Sequence, residues 1–244
     1  MTEHLSGVFL AAAVAPLHTA VADRLAGALP QAGTTHLVDL CSGSGGPLPA
    51  VLPLIEAQLG RAVTATLTDR YPNRHLPDAV ATLPGALSVE SAPVDARAVP
   101  ASLPGLRTVF NAIHHFPPSV ALRSTSATCA GGKWWIAIFE PFERRPRLAL
   151  RLAAGALGGG WRDARRYRGP FLRAAALHVV LPLALSWDGA VSVLRAYEAD
   201  ELLAIAEGCG AGPGIAWRAE RVELPWGAMT VLTGGPAAAT GTSG

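Results

Sequence analysis

Two adjacent histidines, His114 and His115, stand just past an apolar run in "LRTVFNAIHHFPP". Histidine titrates near neutrality, so either ring can take a proton from a hydroxyl or an amine. The pair can equally pack the floor of a pocket. A carboxylate, Glu140, ends a second apolar run, "KWWIAIFEP". It either touches a substrate or fixes the loop before Pro141. Earlier, "HLVDLCSGSGGPLP" leads an apolar strand through Asp39 into three glycines within four positions, Gly43, Gly45 and Gly46. Bare backbone there admits a ligand, and the helix that follows offers free amides at its start.

Two kinds of ligand use such a turn. A dinucleotide sets its pyrophosphate on the helix N-terminus and brings the pattern GxGxxG. S-adenosylmethionine has no phosphate and lays its amino-acid end and ribose near the same turn. The third glycine of GxGxxG would fall at Leu48, so the dinucleotide fingerprint fails. A carboxylate at Asp39 would repel a pyrophosphate, but it can hold an ammonium group or its water shell.

The elements that must position these residues follow in a regular order. Apolar positions around Val8, Leu17, Val21 and Leu25 predict a helix over about residues 1–33, closed by Pro30 and Gly33. "THLVDLCSG" reads as a strand and "PLPAVLPLIEAQLG" as a helix ending at Gly60. Pro47 and Pro49 suit its first turn, whereas Pro53 should distort it. "AVTATLTD" is a strand ending in Asp69, and "RYPNRHLPDAVATLPG" is loop and short helix. "ALSVESAPVDA" is a strand with a loop holding Asp95 and Ala96. "LRTVFNAIHHFPP" is a strand ending at Asn111 to His115. "SVALRSTSATCAGG" fits a helix, and "KWWIAIFEP" is a further strand. This rhythm predicts an α/β fold with a doubly wound, mostly parallel sheet.

After Glu140 the rhythm breaks. Residues Arg144 to Arg168 are basic and broken by glycines. An apolar stretch, Phe171 to Trp187, precedes "SWDGAVSVLRAY" and a helix, "EADELLAIAEGC". Trp187, Asp188, Arg195 and Tyr197 are polar or amphipathic groups in this apolar region. They either close over a substrate or form an internal pair, Asp188 with Arg195. "IAWRAERVELPWGAMTVLTGG" reads as two strands around a Pro-Trp-Gly turn. Residues 236–244 look disordered.

Bulk composition narrows the classes. The chain has 244 residues, half of them hydrophobic and 16% charged, with a net charge of +2. That supports a sizeable core and argues against disorder. No basic run with interleaved aromatics points to nucleic acid. Cys41, Cys129 and Cys209 form no CxxC and no disulfide framework, which fits a reducing compartment. No zinc-type cluster is visible, so no metal is expected. Glu3 and the lack of a basic n-region argue against a secretory signal and for a cytoplasmic protein. Phe171 to Trp187 spans about 17 residues and contains Arg173, His178 and Pro182. A spanning helix wants about 20 apolar residues, so a buried helix or a greasy lid is the expectation.

Taken in order, these motifs resemble those of the class I S-adenosylmethionine-dependent methyltransferases. "VDLCSGSGG" resembles the family's first motif, DxGxGxG, through Asp39, Gly43 and Gly45, with Cys41 where the first glycine would stand. "TLTD" resembles the end of the second strand, so the resemblance implies that Asp69 holds the ribose hydroxyls. "PVDA" implies that Asp95, with Ala96, lies near the adenine amine. "TVFNAIHHF" resembles the fourth-strand end beside the sulfonium, which puts Asn111 in the cofactor pocket. The terminal strand pair resembles the family's final hairpin, whose last strand runs antiparallel. The resemblance covers about residues 35–140 and 200–235.

It implies one seven-stranded domain over residues 1–235, with a helical lid insertion at about 142–198. S-adenosyl-L-methionine is the implied cofactor, and an in-line displacement at its methyl group is the implied reaction. His114 or His115 would serve as base. Glu140, Trp187, Asp188, Arg195 and Tyr197 would line an apolar acceptor site. The greasy insertion points to a small secondary-metabolite-like acceptor, with O-methylation favoured. A homodimer stays open. A second reading is a protein that binds S-adenosylmethionine and catalyses a pericyclic or elimination step without transferring methyl. A third is a membrane-associated protein using Phe171 to Trp187 as a surface patch.

Overall fold

The structure is a computed structural model that describes residues 2–83, 86–117, 135–147, 149–150, 153–154, 171–208 and 215–237. Cys129, Cys209, the helix expected near residue 120 and the tail beyond residue 237 lie outside the described residues.

Seven strands form one sheet: β1 (His36–Leu40), β2 (Thr64–Leu67), β3 (Ala86–Val89), β4 (Leu106–Phe110), β5 (Ile136–Glu140), β6 (Ile215–Leu224) and β7 (Gly227–Pro236). Their spatial order is β3-β2-β1-β4-β5-β7-β6. The pairs among β1 to β5 are parallel, and β7 runs antiparallel to both β5 and β6. This is the mixed α/β sheet expected from the alternating rhythm. β1 and β4 are neighbours although β2 and β3 intervene in sequence. The order in which strands are added therefore reverses beside β1, the switch point outside which ligands bind in open α/β sheets.

The expected helices that fall within the described residues are present, with adjusted ends. α1 (Thr2–Gln31) and α2 (Leu48–Leu59) pack on one face. Val21, Leu25, Leu29, Val51, Leu52 and Ile55 meet Leu37, Leu106, Ala137 and Phe139 of the sheet in one apolar cluster. Pro53 lies inside α2 without ending it, and Gly60 closes the helix at φ 62°. α3 (Leu76–Ala81) follows β2. On the other face, Val38, Leu40, Val109, Ile138 and Leu232 are also buried. Burial of β1, β4 and β5 on both faces explains why these strands read as near-continuous apolar runs.

Gly105 shows how tightly β4 enters beside β1. Its φ is +147°, and a Cβ there would lie 2.8 Å from the His36 carbonyl oxygen. Backbone cannot yield as a side chain can. Gly105→Ala is expected to cost about 1–3 kcal/mol of stability, read as a lowered urea midpoint at unchanged slope.

The chain divides into two compact units, Met1–Pro141 with Ala199–Gly244, and Phe142–Glu198. In the second unit, α4 runs from Phe171 to Arg195, with Pro182 inside. One helix thus covers both the apolar stretch and "SWDGAVSVLR", which the sequence reading had separated. α5 (Ala199–Gly208) belongs to the first unit and packs on β6 and β7.

Candidate functional site

The carboxyl ends of β1, β2, β4 and β5 carry the residues singled out above. The turn after β1 is built from left-handed backbone. Cys41 has φ 60°, Gly43 54°, Gly45 109° and Gly46 56°. A side chain at Gly45 would be strained by its φ and would touch Leu76 at 3.4 Å. Cys41 takes the left-handed conformation without being glycine.

Asp39 braces this turn from within. It is 1% exposed. Its Oδ2 accepts from the Ser42 hydroxyl at 2.7 Å, and its Oδ1 accepts from the Thr108 hydroxyl at 2.8 Å. Ser42 Oγ in turn accepts from the Thr68 amide at 3.1 Å, and the Ser42 amide donates to the Thr68 carbonyl at 2.9 Å. β1, β2 and β4 are thereby tied together just below the glycines. The sequence reading gave Asp39 an ammonium to hold; the structure turns both its oxygens to protein hydroxyls. Ser42, Thr68 and Thr108 were missed, since nothing in a lone Ser or Thr marks it as a buried bracket. The one available signal was register: Asp39 stands opposite Thr108.

Burial pushes the Asp39 carboxyl up to about 7, against the pull of the Ser42 and Thr108 hydrogen bonds. A folded-state value above the unfolded 3.8 means the folded protein holds an extra proton between those values. Stability from this group is full below about 4 and is lost as pH rises through about 7. Urea unfolding at pH 5 and pH 8 should show that fall. Asp39→Asn should flatten it, because an amide does not titrate.

Asp69 sits at the end of β2 and is half-buried. Its Oδ2 accepts from the Gly43 amide at 2.9 Å, and its Oδ1 accepts from the Tyr71 amide at 2.8 Å. Each oxygen keeps a lone pair for a further donor. Asp95 is gripped by Arg97 through Nε and Nη2, with Arg70 3.8 Å away. The Arg97 hydrogen bond, ahead of all other causes, holds the Asp95 carboxyl down to about 2. Ala96 follows it in the same loop. Burial, followed by the charges of Asp69, Asp39 and Asp95, pushes the Cys41 thiol up to about 12. That is the reverse of what a reactive thiolate needs.

At the β4 end, Asn111 holds a left-handed φ of 50°, and its amide donates to the Phe139 carbonyl at 2.8 Å. The chain then makes a short turn, Ile113–His115. His114 is buried beneath it and His115 is exposed. His114 Nδ1 lies 2.8 Å from Glu140 Oε2, and the Ile113 amide donates to Glu140 Oε1 at 3.0 Å. Both partners of the His114–Glu140 pair are 1% exposed in their side chains. A carboxylate only accepts, so Nδ1 donates, and in the neutral ring the lone pair sits on Nε2. That Nε2 is buried and has no partner among the described residues. Glu140 was expected to touch substrate or fix its loop. Its two oxygens go to Ile113 and His114.

The structure therefore gathers Asp39, Cys41, Gly43, Gly45 and Asp69 at one turn, with Asn111, His114 and Glu140 at the neighbouring strand ends. Trp187, Asp188, Arg195 and Tyr197 all belong to the second unit. No ion pair joins Asp188 to Arg195 among the described residues. Seven residues on a helix separate two side chains by about 10 Å along the axis. No group of three metal-ligating side chains occurs among the described residues.

A cavity of about 660 Å³ lies elsewhere, lined by Arg24, Gln31, Trp135, Arg218 and Gly235 among others. It opens at the amino-terminal edge of the sheet, away from the glycine turn. The enclosed space beside Asp69 and Glu90 is only about 10 Å³.

No protein-family model matches the sequence, and no curated protein matches it either. Among solved structures, the methyltransferase domain of bacterial CtHen1-C aligns with a TM-score of 0.52 at 12% identity, over 91% of this chain and 100% of that one. The S-adenosylmethionine-dependent methyltransferase SibL, in its apo form, gives 0.47 at 15%, over 83% of this chain and 50% of its own. Magnesium protoporphyrin IX methyltransferase from Synechocystis PCC 6803, with bound SAH, gives 0.42 at 12%, over 90% and 84%. The chain thus spans half the length of SibL. Strand order, the antiparallel β7 and the CtHen1-C likeness define the fold as that of the class I methyltransferases.

Proposed function

We propose that the protein binds S-adenosyl-L-methionine at the turn after β1 and transfers its methyl group to an apolar small molecule, with oxygen the favoured acceptor atom. The observation that carries this is the left-handed turn Cys41–Gly46, braced from below by Asp39 and from the side by Asp69, at the switch point of the sheet. The donor set fits the cofactor. Asp69 keeps free lone pairs for a ribose diol, and no phosphate-binding fingerprint competes. Asp95 and Ala96 are proposed to meet the adenine, whose amine would share Asp95 with Arg97. Asn111 borders the same region. When bound, the cofactor supplies an electrophilic methyl on a sulfonium.

The chain's own work is then to orient, to exclude water and to move a proton. Most of the rate comes from holding acceptor and methyl in line. Two residues are proposed as base. His114 carries its lone pair on Nε2, oriented by Glu140 through Nδ1. His115 is the exposed alternative on the same turn. Asp188, Arg195 and Tyr197 of the second unit are proposed to contact the acceptor.

The first test is calorimetric titration with S-adenosylmethionine and S-adenosylhomocysteine, with NADH as control. Micromolar binding of the first two and none of NADH is the expected result. Absence of both removes the basis for the site. Product mass then decides the reaction: methyl transfer adds one methyl, whereas a pericyclic or elimination step adds none.

A further inference from the structure

α4 presents an apolar stripe to the outside. Val179, Leu183, Trp187 and Leu194 are 59%, 57%, 74% and 49% exposed. Their spacing confines them, with exposed Val180, to a sector of about 100° on the helix. The side turned inward is different. Pro182 and Val193 are buried, and the Ser186 hydroxyl donates to the Ala153 carbonyl at 2.8 Å. Arg173, Asp188 and Arg195 occupy the flank between these two sides and are exposed.

Charge says what covers the stripe. The unit Phe142–Glu198 holds ten arginines and four acids, a formal charge of +6. The rest of the chain holds ten basic and fourteen acidic side chains, −4, which together give the net +2. All the excess positive charge thus sits on the unit that exposes the apolar stripe. Arg144, Arg145, Arg147, Arg173 and Arg195 are exposed on it. A second copy would bring +6 against +6. An apolar helix face flanked by arginines instead matches a surface with an apolar interior and a negative rim. Trp187, the most exposed of the stripe, is the residue type that settles at a bilayer's headgroup level.

We infer that the second unit docks on an anionic lipid bilayer, with α4 lying in the interface plane. By length and composition alone the segment Leu177–Arg195 could cross a membrane, with a mean hydropathy of 1.6. Crossing would set Asp188 in hydrocarbon and strip away the contacts of Pro182, Ser186 and Val193. Lying flat keeps them. This role assigns Trp187 to lipid instead of acceptor. It does not rest on the methyltransferase reading, since docking needs no cofactor.

The test is co-sedimentation of the full chain with vesicles of phosphatidylcholine, with and without phosphatidylglycerol. Binding is expected with phosphatidylglycerol and is expected to weaken at high salt. Leu183→Glu should lower it about tenfold or more at an unchanged melting temperature, because the side chain is exposed. The double variant Arg147→Gln/Arg173→Gln should lower it about tenfold at low salt and little at high salt. Three results would overturn the inference: no binding to phosphatidylglycerol vesicles, binding that a folded Leu183→Glu variant leaves unchanged, or a dimer in gel filtration that Leu183→Glu converts to monomer. The last would give the stripe to a second copy.

Discussion

Asp69→Ala is expected to weaken S-adenosylmethionine binding by about 1–3 kcal/mol, roughly 5- to 150-fold in dissociation constant. Two losses combine. The variant removes the oxygens that would accept the ribose hydroxyls, and it releases the Gly43 amide now held at 2.9 Å. The second loss loosens a turn in which Cys41, Gly43, Gly45 and Gly46 hold positive φ. Asp69→Asn should fall between wild type and alanine, since its one carbonyl oxygen can serve Gly43 or the ribose but not both fully. Calorimetry with S-adenosylmethionine and S-adenosylhomocysteine reads the effect, and both ligands should weaken alike because both carry the ribose. Unchanged binding in a folded Asp69→Ala variant would remove the β2 end from the site. Loss confined to the charged ligand would instead mean that Asp69 answers the sulfonium and not the ribose.

How much of this was legible in sequence depends on the kind of feature. Strands buried on both faces are apolar runs, so β1, β4 and β5 could be read directly, while β2 showed as β-branched residues at alternate places. The glycine turn was legible for the same local reason: only residues tolerant of positive φ fit there. What the sequence hid was which way a side chain faces. Asp39 and Asp69 both follow apolar runs. One is sealed beneath the turn and the other lies half open, because strand alternation and the neighbouring Thr108 set the difference. Glu140 belongs to the same class: a strand-end acid can touch substrate or fix its loop, and its two oxygens meet the Ile113 amide and His114. α4 unites the apolar stretch and "SWDGAVSVLR" in one helix with Pro182 inside. A proline in a long helix removes one amide bond without ending the helix when the remaining packing holds it.

The His114–Glu140 pair carries the sharpest test of the chemistry. In the wild-type arrangement Glu140 accepts from Nδ1, which in the neutral ring leaves Nε2 with the lone pair that a base requires. Glu140→Gln keeps the shape and changes the hydrogen bonding. The Gln oxygen can still accept from the Ile113 amide, but the amide nitrogen must then face Nδ1 as a donor. His114 answers by moving its proton to Nε2, the one atom that should have been bare. If His114 is the base, kcat falls by about 10²- to 10⁴-fold for the acceptor that mass spectrometry identifies, while S-adenosylmethionine affinity stays within about twofold. If the pair only holds the turn Ile113–His115, kcat stays within a few-fold and His115→Ala becomes the damaging variant. Glu140→Ala separates structure from chemistry. It strands the Ile113 amide and the Nδ1 proton in a dry site, at about 1–3 kcal/mol for each unsatisfied group. Its melting temperature should therefore drop well below that of Glu140→Gln. A glutamine variant that is stable, binds cofactor and yet turns over slowly would place the proton's path through Nε2. A glutamine variant that is stable and fully active would close that path and leave the exposed ring of His115 to carry it.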